Sequence, residues 1–593
     1  MAGAGASPTL PTAEEVAAAV AVAAGRRAGD LLLRGGRVVD VFTNAVIEAD
    51  VLVSGRLVAA VGQGLGQARE VVDLAGAYVS PGLIDGHMHL ESSLVTPSGY
   101  AEVAVPRGVT AVVCDPHEIA NVAGEAGVRW LLDTTGRLPL DVWVTVPSCV
   151  PSTPLETSGA EFGIAEMGRL AEHPRVVGVA EIMSFPEVIA GEATALAKAA
   201  LAASRGVTAE GHAPGVTGRD LQAYLAAGIA SDHESTTLEE GREKLRAGAF
   251  LMVREGSVTR DLRALLPLVD PRHGDRVGFV TDDRLPHDLL VEGGVDHMVR
   301  SAIAGGVDPA YAVRCASWNN ARHYRLPRRG AVAPGYFADL VVVGSLAAFD
   351  ARRVYKDGVL VANGGAPTAR PAAAPADALD DGPVRGTMRL PRLGDGSFAL
   401  PVPPGGGRVR CVVALPNRIV TGSELVEPTV VDGAAVADPG RDLAKLACVE
   451  RHGRNGGVAV ALVRGFGLER GALASSVGHD HHNVMVVGVD DEDMAVACRR
   501  LAELGGGFVA VAAGAVRAEL PLPLAGIVTD APLKEVAADL DRLDAAAASL
   551  GVTMPSPFMA LSFLGLAVIP ELKLTDRGLV DVARGRLVPL WEA

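Results

Sequence analysis

At 593 residues, the chain is too long for one ordinary domain and should hold two or three. Its formal net charge of −16 speaks against the basic surface that binds a phosphate backbone, so we expect no nucleic-acid partner. Hydrophobic residues make up 49% of the chain, which is enough for large cores. Six cysteines without a CxxC pair exclude a disulfide framework and a thiolate zinc site, and are typical of a reducing cytoplasm.

Residues 1–28 predict a short N-terminal helix and no secretory signal. Glu14 and Glu15 precede an Ala/Val-rich run and two arginines follow it, which reverses the charge order of a signal peptide. Thr12 and Glu15 have the spacing of a capping box. The longest apolar run, 558–569, is shorter than the roughly 20 residues that cross a bilayer. We therefore expect a cytoplasmic protein that has no membrane partner.

Two β-rich segments flank a long middle region. Residues 29–78 and 328–365 alternate short apolar runs with glycine-containing turns, and we predict that they pair as one small β domain. Residues 79–327 contain eight strand-like runs, separated mostly by Ala/Leu-rich helical stretches. Near-continuous apolar runs favour a parallel sheet that is buried on both faces. Eight such units in this length predict an α/β fold of the (β/α)8 TIM-barrel type.

The remainder of the chain predicts a linker and a further domain. Residues 366–386 are rich in Pro, Ala and Gly, as linkers are. Residues 387–593 predict a C-terminal domain of α+β or α/β type, whose clearest unit is a strand at Val484–Val489, a helix and three glycines. Because these glycines follow a helix and do not form GxGxxG, we do not expect a dinucleotide site.

Polar side chains collect where the eight predicted strands end. The first strand ends in His87 and His89, whose spacing places both side chains on one face. In a barrel of this type the C-terminal ends of the strands carry the chemistry, so one pocket should collect the polar residues. The candidate ligands at the later strand ends are Glu181, His212, His233 and Asp282.

These residue types predict a metal centre. Four imidazoles and two carboxylates, with no thiolate, favour a divalent ion such as Mn, Fe, Co or Zn. Six ligands exceed the three or four protein ligands of one catalytic ion, whereas two ions about 3.5–4 Å apart would use them all. Glu181, alone on its strand end, is the predicted bridge. Each histidine could separately be an ordinary core or rim residue, but the coincidence of all six candidate ligands at strand ends is improbable.

A family resemblance rests on PGLIDGHMHLESSLVTP, CDPHEIANVAG, SDHESTTLEE, TDDRLPHDL, APGYFADLVVV and HDHHNVMVVGVDDEDM, among other strings. They resemble the bacterial adenine deaminases within the metal-dependent amidohydrolases, and the resemblance covers nearly the whole chain. It implies hydrolytic deamination of adenine to hypoxanthine and ammonia, in purine salvage or catabolism, by a metal-bound hydroxide that attacks C6. Many amidohydrolases bridge their metals through a carboxylated lysine, and here Glu181 occupies that position.

The resemblance implies two divalent ions, with Mn or Fe first and Zn or Co as alternatives. Beside Glu181 as the bridge, Asp282 would take the hydroxide proton and deliver it to the ring nitrogen or the leaving amine. His233 would assist the developing tetrahedral centre. We expect adenine as the small-molecule partner and a homo-oligomer. The candidates for contacting the purine edge, or equally for a solvated rim, are Glu91, Glu118 and Asp283.

Two other catalytic motifs are incomplete. His117 and Glu118 begin an HExxH motif, but Asn121 stands where its second histidine would be. His89 and Glu91 fit the HxE of cytidine-type zinc deaminases, yet no PCxxC follows.

Two alternative functions of the protein stay open. A cyclic-amide hydrolase of the dihydroorotase or hydantoinase type shares the barrel, although it usually carries the bridging lysine. A catalytically inactive scaffold would lack one or more metal ligands.

The GHDHHN segment with His479, His481 and His482 predicts a histidine-rich surface turn. The alternatives are metal binding and a loop that reaches the active site or a partner subunit. The family pattern favours His482 among them.

Overall fold

The computed structural model describes residues 10–369, 380–394 and 396–592. The first element of the described residues is the helix Ala13–Ala23, which opens with the expected capping box: Thr12 Oγ1 accepts from Glu15 N, and Glu15 Oε2 accepts from Thr12 N. Residues 370–379 of the predicted linker lie outside the described residues. Within the described ranges, every helix is too short or too polar to cross a membrane.

One nine-stranded sheet is built from the two segments that flank the middle region. Tyr78–Pro81 pairs antiparallel with Leu340–Val343, and this pair joins the first segment to the second. Val79 and Leu340 are fully buried in the core of this sheet. Its strands are Gly29–Asp40, Ala45–Ser54, Leu57–Gly62, Ala68–Asp73, Tyr78–Pro81, Leu340–Val343, Ala351–Lys356, Val359–Asn363 and Ala366–Pro367.

Eight parallel strands follow in chain order, five in one sheet and three in another. The Ala230 amide donates to the Ala209 carbonyl between the two sheets. The Asp282 amide donates to His87 O at 3.0 Å, so the chain after the eighth strand lies beside the end of the first. The eight strands are Leu83–Met88, Val109–Cys114, Asp141–Val146, Val176–Ile182, Thr208–Gly211, Ser231–Asp232, Phe250–Arg254 and Val277–Val280.

All residues of these eight strands are buried, as their apolar runs predict. Helices lie between and after the strands, and several end at a glycine with positive φ, such as Gly206 and Gly248. These helices are Pro97–Ala104, His117–Thr135, Ile164–Leu170, Phe185–Ala190, Ala193–Arg205, Gly218–Ala226, Leu238–Ala247, Leu262–Leu265, Pro286–Val291, Val295–Ala304, Pro309–Cys315 and Trp318–His323.

The C-terminal part contains a mixed eight-stranded sheet and two three-stranded sheets. The Asp490 side chain caps the helix Asp491–Leu504, and Gly505 in the left-handed region ends it. The other helices are Leu533–Ser549 and Pro557–Phe563. The strands are Leu400–Pro401, Val409–Val413, Gly422–Val426, Thr429–Val431, Ala434–Val436, Ala444–Val449, Val458–Arg464, Ala472–Ser475, Val484–Gly488, Gly507–Ala512, Ala515–Pro521, Leu572–Thr575, Gly578–Asp581 and Arg586–Val588.

Candidate metal and active site

The carboxyl group of Glu181 lies among four imidazoles at the C-terminal ends of the parallel strands. Its Oε1 is 3.3 Å from His87 Nε2 and 3.2 Å from His89 Nε2. Its Oε2 is 2.8 Å from His212 Nδ1 and 3.6 Å from His233 Nε2. Each carboxyl oxygen therefore faces two imidazole nitrogens, and the side chain divides the cluster into two halves.

Asp282 completes the set of six candidate ligands. Its Oδ1 lies 3.1 Å from His89 Nε2, and its Oδ2 accepts from Arg254 Nη1 at 3.0 Å. Burial favours the neutral form of Asp282, but the contacts with His89 and Arg254 outweigh it and hold the pKa well below the usual range. Its backbone is in the left-handed region, with φ of 57°, which is a strained conformation for a residue with a side chain.

The imidazole of His87 tests whether the cluster fits a metal ion. Its Nδ1 lies 2.8 Å from Glu210 Oε2, while its buried Nε2 has no hydrogen-bond partner among the described residues. When Nδ1 donates to Glu210, Nε2 turns a lone pair toward Glu181 Oε1 at 3.3 Å. Two facing acceptors in a buried site need positive charge between them, which a proton on Nε2 or a metal ion can supply, and a carboxylate that orients a histidine is typical of metal sites. The donor set therefore fits a divalent metal ion.

The pKa shifts within the cluster also indicate that it favours a bound positive charge. Burial lowers the pKa of His87, but the carboxylates of Glu181 and Glu210 outweigh burial and raise it to about 10. Burial raises the pKa of Glu181, but the surrounding imidazoles hold it well below its usual range. The cluster thus favours positive charge next to ionised carboxylates.

Further residues of the cluster were not among the predicted ligands. His117 Nδ1 lies 2.8 Å from Asp115 Oδ2 and 3.9 Å from Glu181 Oε1, so His117 and Asp115 also belong to a group that could hold a metal. Both follow the second strand, and their position at a strand end could have identified them. Glu210 lies two residues before His212 and therefore on the same face of the strand, which is a weak sequence signal that it belongs to the cluster.

The predicted substrate residues fall into two places. Glu118 and Asp283 line a chamber of about 60 Å³ over the cluster, whereas Glu91 lines a separate small cavity behind Glu118. The Asp283 Oδ1 accepts from the Ser92 hydroxyl, and burial followed by the Asp282 charge raises the pKa of Asp283. The Glu91 Oε1 accepts from the Ile119 amide at 3.1 Å, and burial raises the pKa of Glu91 to about 7.

The prediction of a histidine-rich surface turn is wrong. His479, His481 and His482 are at most 5% exposed. His479 Nδ1 lies in hydrogen-bond contact with Glu118 Oε1, and His482 Nε2 with Glu118 Oε2. A polar segment looks exposed in the sequence, but here it is buried because a carboxylate more than 300 residues earlier binds both of its outer imidazoles. The loop reaches the candidate site instead, and His482, which the family pattern favours, is one of its two contacts with Glu118.

The C-terminal part also supplies an apolar wall of the chamber, called here the roof: Ile419, Phe563, Leu566 and Ile569. These side chains pack with Val258 from the loop after the seventh strand. The Phe563 ring stacks on the His479 imidazole with 4.8 Å between centroids and 10° between planes. The chamber is therefore formed by two parts of the chain that are distant in sequence.

Comparison with known proteins identifies the chain. Residues 78–361 match the model of the amidohydrolase family, and residues 418–586 match the adenine deaminase C-terminal domain. Adenine deaminase 2 of Carboxydothermus hydrogenoformans is 44% identical over 96% of this chain and 98% of its own length. Adenine deaminase of Cereibacter sphaeroides is 46% identical over 95% of this chain and 98% of its own length. The chain belongs to the adenine deaminase family.

This membership confirms the resemblance that the sequence motifs indicated. As a member of the amidohydrolase superfamily, the protein is metal-dependent, and its clustered imidazoles and carboxylates agree with that. The matched C-terminal domain of the adenine deaminases includes the whole roof and both histidines that contact Glu118.

Proposed function

We propose that the protein hydrolyses adenine to hypoxanthine and ammonia. Relatives named adenine deaminase match nearly its whole length, and the amidohydrolase match makes it a hydrolase. The observation that carries the assignment is the Glu181 carboxyl among four imidazoles, under a roof that belongs to the adenine deaminase C-terminal domain. A glutamate at the predicted bridging position also speaks against the alternative cyclic-amide hydrolases, which usually carry a lysine there.

We infer a binuclear centre with Mn or Fe as the first candidates and Zn or Co as the alternatives. The two Glu181 oxygens face different pairs of imidazoles, which supports Glu181 as the shared ligand. When bound, the ions would lower the pKa of water and stabilise negative charge that develops on the substrate. The residues that would hold them are His87, His89, Glu181, His212, His233 and Asp282.

Asp282 is the proposed acceptor and donor of the proton. His89 and Arg254 keep it ionised and Arg254 fixes one of its oxygens, so Asp282 could take a proton from the attacking water with the other. The same carboxyl then gives this proton to the purine ring nitrogen or to the leaving amine. Burial and the nearby His87 hold the pKa of His233 well below its usual range, so His233 acts as a neutral imidazole beside the reacting carbon.

Substrate orientation falls to the chamber walls. Asp283 and Glu118 line the chamber and would contact the purine edge, and Glu91 would act from behind by fixing the Ile119 amide at the start of the Glu118 helix. The apolar roof would lie against the purine face and exclude water, which strengthens the polar contacts inside.

The domain division of the chain is part of the proposal. We assign residues 1–28 to an N-terminal helix and tail, 29–78 with 328–365 to a small β domain, 366–386 to a linker, and 387–593 to the C-terminal domain. Residues 79–327 would form a closed (β/α)8 barrel, which the contact between Met88 and Asp282 supports. Self-association and a cytoplasmic location stay predictions.

The test is to incubate the metal-loaded protein separately with adenine, adenosine, AMP and dihydroorotate. We expect equimolar hypoxanthine and ammonia from adenine and no faster turnover of the nucleoside or nucleotide. The Asp282→Asn variant is the matched control and should lose this activity. Ring opening of dihydroorotate without ammonia release from adenine would instead identify a cyclic-amide hydrolase.

A further inference from the structure

A second and much larger cleft lies beside the reaction chamber, and no step of the proposed reaction uses it. Its volume is about 670 Å³, within the range of roughly 300–1,000 Å³ that small-molecule sites occupy. The cleft lies between the loop 148–163, the helix Ala193–Arg205 and residues of the C-terminal part. Met183 lines both this cleft and the chamber, so the two spaces are neighbours.

The wall of the cleft contains a buried carboxyl group with an unused oxygen. Glu156 is 1% exposed. Its Oε1 accepts from the Ser152 amide at 3.1 Å and from the Ser152 hydroxyl at 2.8 Å, whereas Oε2 has no hydrogen-bond partner in the described part of the chain. Buried polar atoms are nearly always paired, so an unpaired carboxyl oxygen beside a cleft indicates that a ligand or water supplies the missing contact.

The protonation state of Glu156 limits what that ligand can be. Burial raises the pKa of Glu156 to about 8, and the nearby Asp480 charge adds to the effect. At neutral pH the group is therefore mainly a carboxylic acid, and because Ser152 donates twice to Oε1, the proton resides on Oε2. An O–H donor of this kind suits the ring nitrogen of a heterocyclic base.

The charge of the rim favours a neutral ligand over an anion. Arg454, Arg577 and Lys198 line the cleft and donate to backbone carbonyls, and Glu161 and Glu187 line it as exposed carboxylates. The opposite charges at the rim nearly cancel. A polar and uncharged molecule of purine size would thus meet hydrogen-bonding partners without a strong field of either sign.

We propose that this cleft is a second binding subsite for the purine base, next to the reaction chamber, with Glu156 Oε2 as the donor to a ring nitrogen. The inference rests on the deaminase function proposed above. The subsite would hold adenine before it passes Met183 into the chamber, and it would also accept hypoxanthine, because both bases carry ring-nitrogen acceptors.

The first experiment counts binding sites. Calorimetric titration of the metal-loaded protein with hypoxanthine should give two molecules per chain. Thr194 is exposed, lines the cleft and lies in the first turn of its helix, so the bulk of Thr194→Trp should obstruct the cleft and leave one molecule per chain. The matched control is Leu196→Trp, at an exposed position of the same helix that does not line the cleft, and it should retain two.

The second experiment measures turnover of adenine. Thr194→Trp and Glu156→Leu should raise KM about tenfold with kcat unchanged, the size expected for one lost hydrogen bond or a blocked subsite. Glu156→Gln keeps an N–H donor and should stay within about twofold of the wild type. Between pH 7 and 9 the wild-type KM should rise as Glu156 ionises, and in Glu156→Gln this rise should disappear. The charged groups around Glu156 that enter this comparison are Asp480, Lys198, Arg454, Arg577, Glu161 and Glu187.

Two results would overturn the proposal. One is a single hypoxanthine site in the wild type, and the other is a KM for Thr194→Trp equal to that of Leu196→Trp. The Trp variants decide the matter if Glu156→Leu does not fold, since both substitutions are at exposed positions. Failure of the deaminase function itself is separate, because it would appear as an absence of ammonia release from adenine in the wild-type protein.

Discussion

The contact between Glu118 and the two C-terminal histidines should stabilise the protein and support its activity. Glu118 is 2% exposed and His482 is 1% exposed, and each imidazole contacts a different oxygen of the carboxylate. Burial raises the pKa of Glu118, but His479 and His482 together outweigh burial and hold the pKa well below its usual range. Changing His482→Leu would leave an ionised, buried oxygen with no partner.

The magnitude follows from this burial. Burial lowers the pKa of His482, so its imidazole contacts the ionised Glu118 as a neutral donor, and losing a buried hydrogen bond to a charged group costs about 1.5–3 kcal/mol. We expect the free energy of unfolding to fall by about 3 kcal/mol, which at this burial is well above the roughly 1 kcal/mol of an exposed pair. Adenine turnover should fall at least tenfold, because Glu118 lines the chamber.

A double-mutant cycle isolates the pairwise energy. Unfolding in guanidinium is measured for the wild type, His482→Leu, Glu118→Gln and the double variant. In the Glu118→Gln background the charge is gone, so His482→Leu should cost about 2 kcal/mol less than in the wild type. An equal cost in both backgrounds would show that the imidazole stabilises its own loop and not the carboxylate, and the reasoning would be refuted.

Three further outcomes are expected. Glu181→Gln should reduce the metal content from two ions per chain to one, because two divalent ions repel strongly without the shared carboxylate, and turnover should fall by at least about a hundredfold. Elemental analysis measures the metal content, and a single ion in the wild type would contradict this prediction. Phe563→Ala should raise KM for adenine about tenfold through the lost ring contact, whereas the exposed Leu587→Ala should not. Burial lowers the pKa of Lys573 to about 7, so between about pH 7 and pH 10 the unfolded chain binds more protons than the folded chain. The free energy of unfolding should therefore rise with pH over that window, and Lys573→Met should flatten the rise.

The strand ends were predictable because their signal is local. An apolar run followed by a polar residue gives both the strand and the side of the sheet on which its chemistry lies, so His87, His89 and Glu181 could be placed without coordinates. The capping box of Thr12 and the Asp490 cap are local in the same sense. These features depend on spacings of two to four residues, which a single sequence shows directly.

The contacts of Glu118 could not be predicted because their cause is not local. His479 and His482 lie in a polar segment, and periodicity in such a segment predicts exposure. Only the folded chain brings it against the start of the helix His117–Thr135, where a buried carboxylate makes burial of two imidazoles favourable. Glu156 is a similar case, because its unpaired oxygen depends on how a loop after the third strand packs.

The chamber explains why the adenine deaminase C-terminal domain accompanies this metal site. The strand ends supply the candidate ligands, but an open cluster would leave them in water, where charge stabilisation is weak. The roof and the His479 ring close that face with apolar surface, and the same loop fixes Glu118 at the chamber wall. In the proposed reaction, the strand ends would therefore provide the charge, and the C-terminal part would provide the low-dielectric surroundings in which that charge acts on a neutral base.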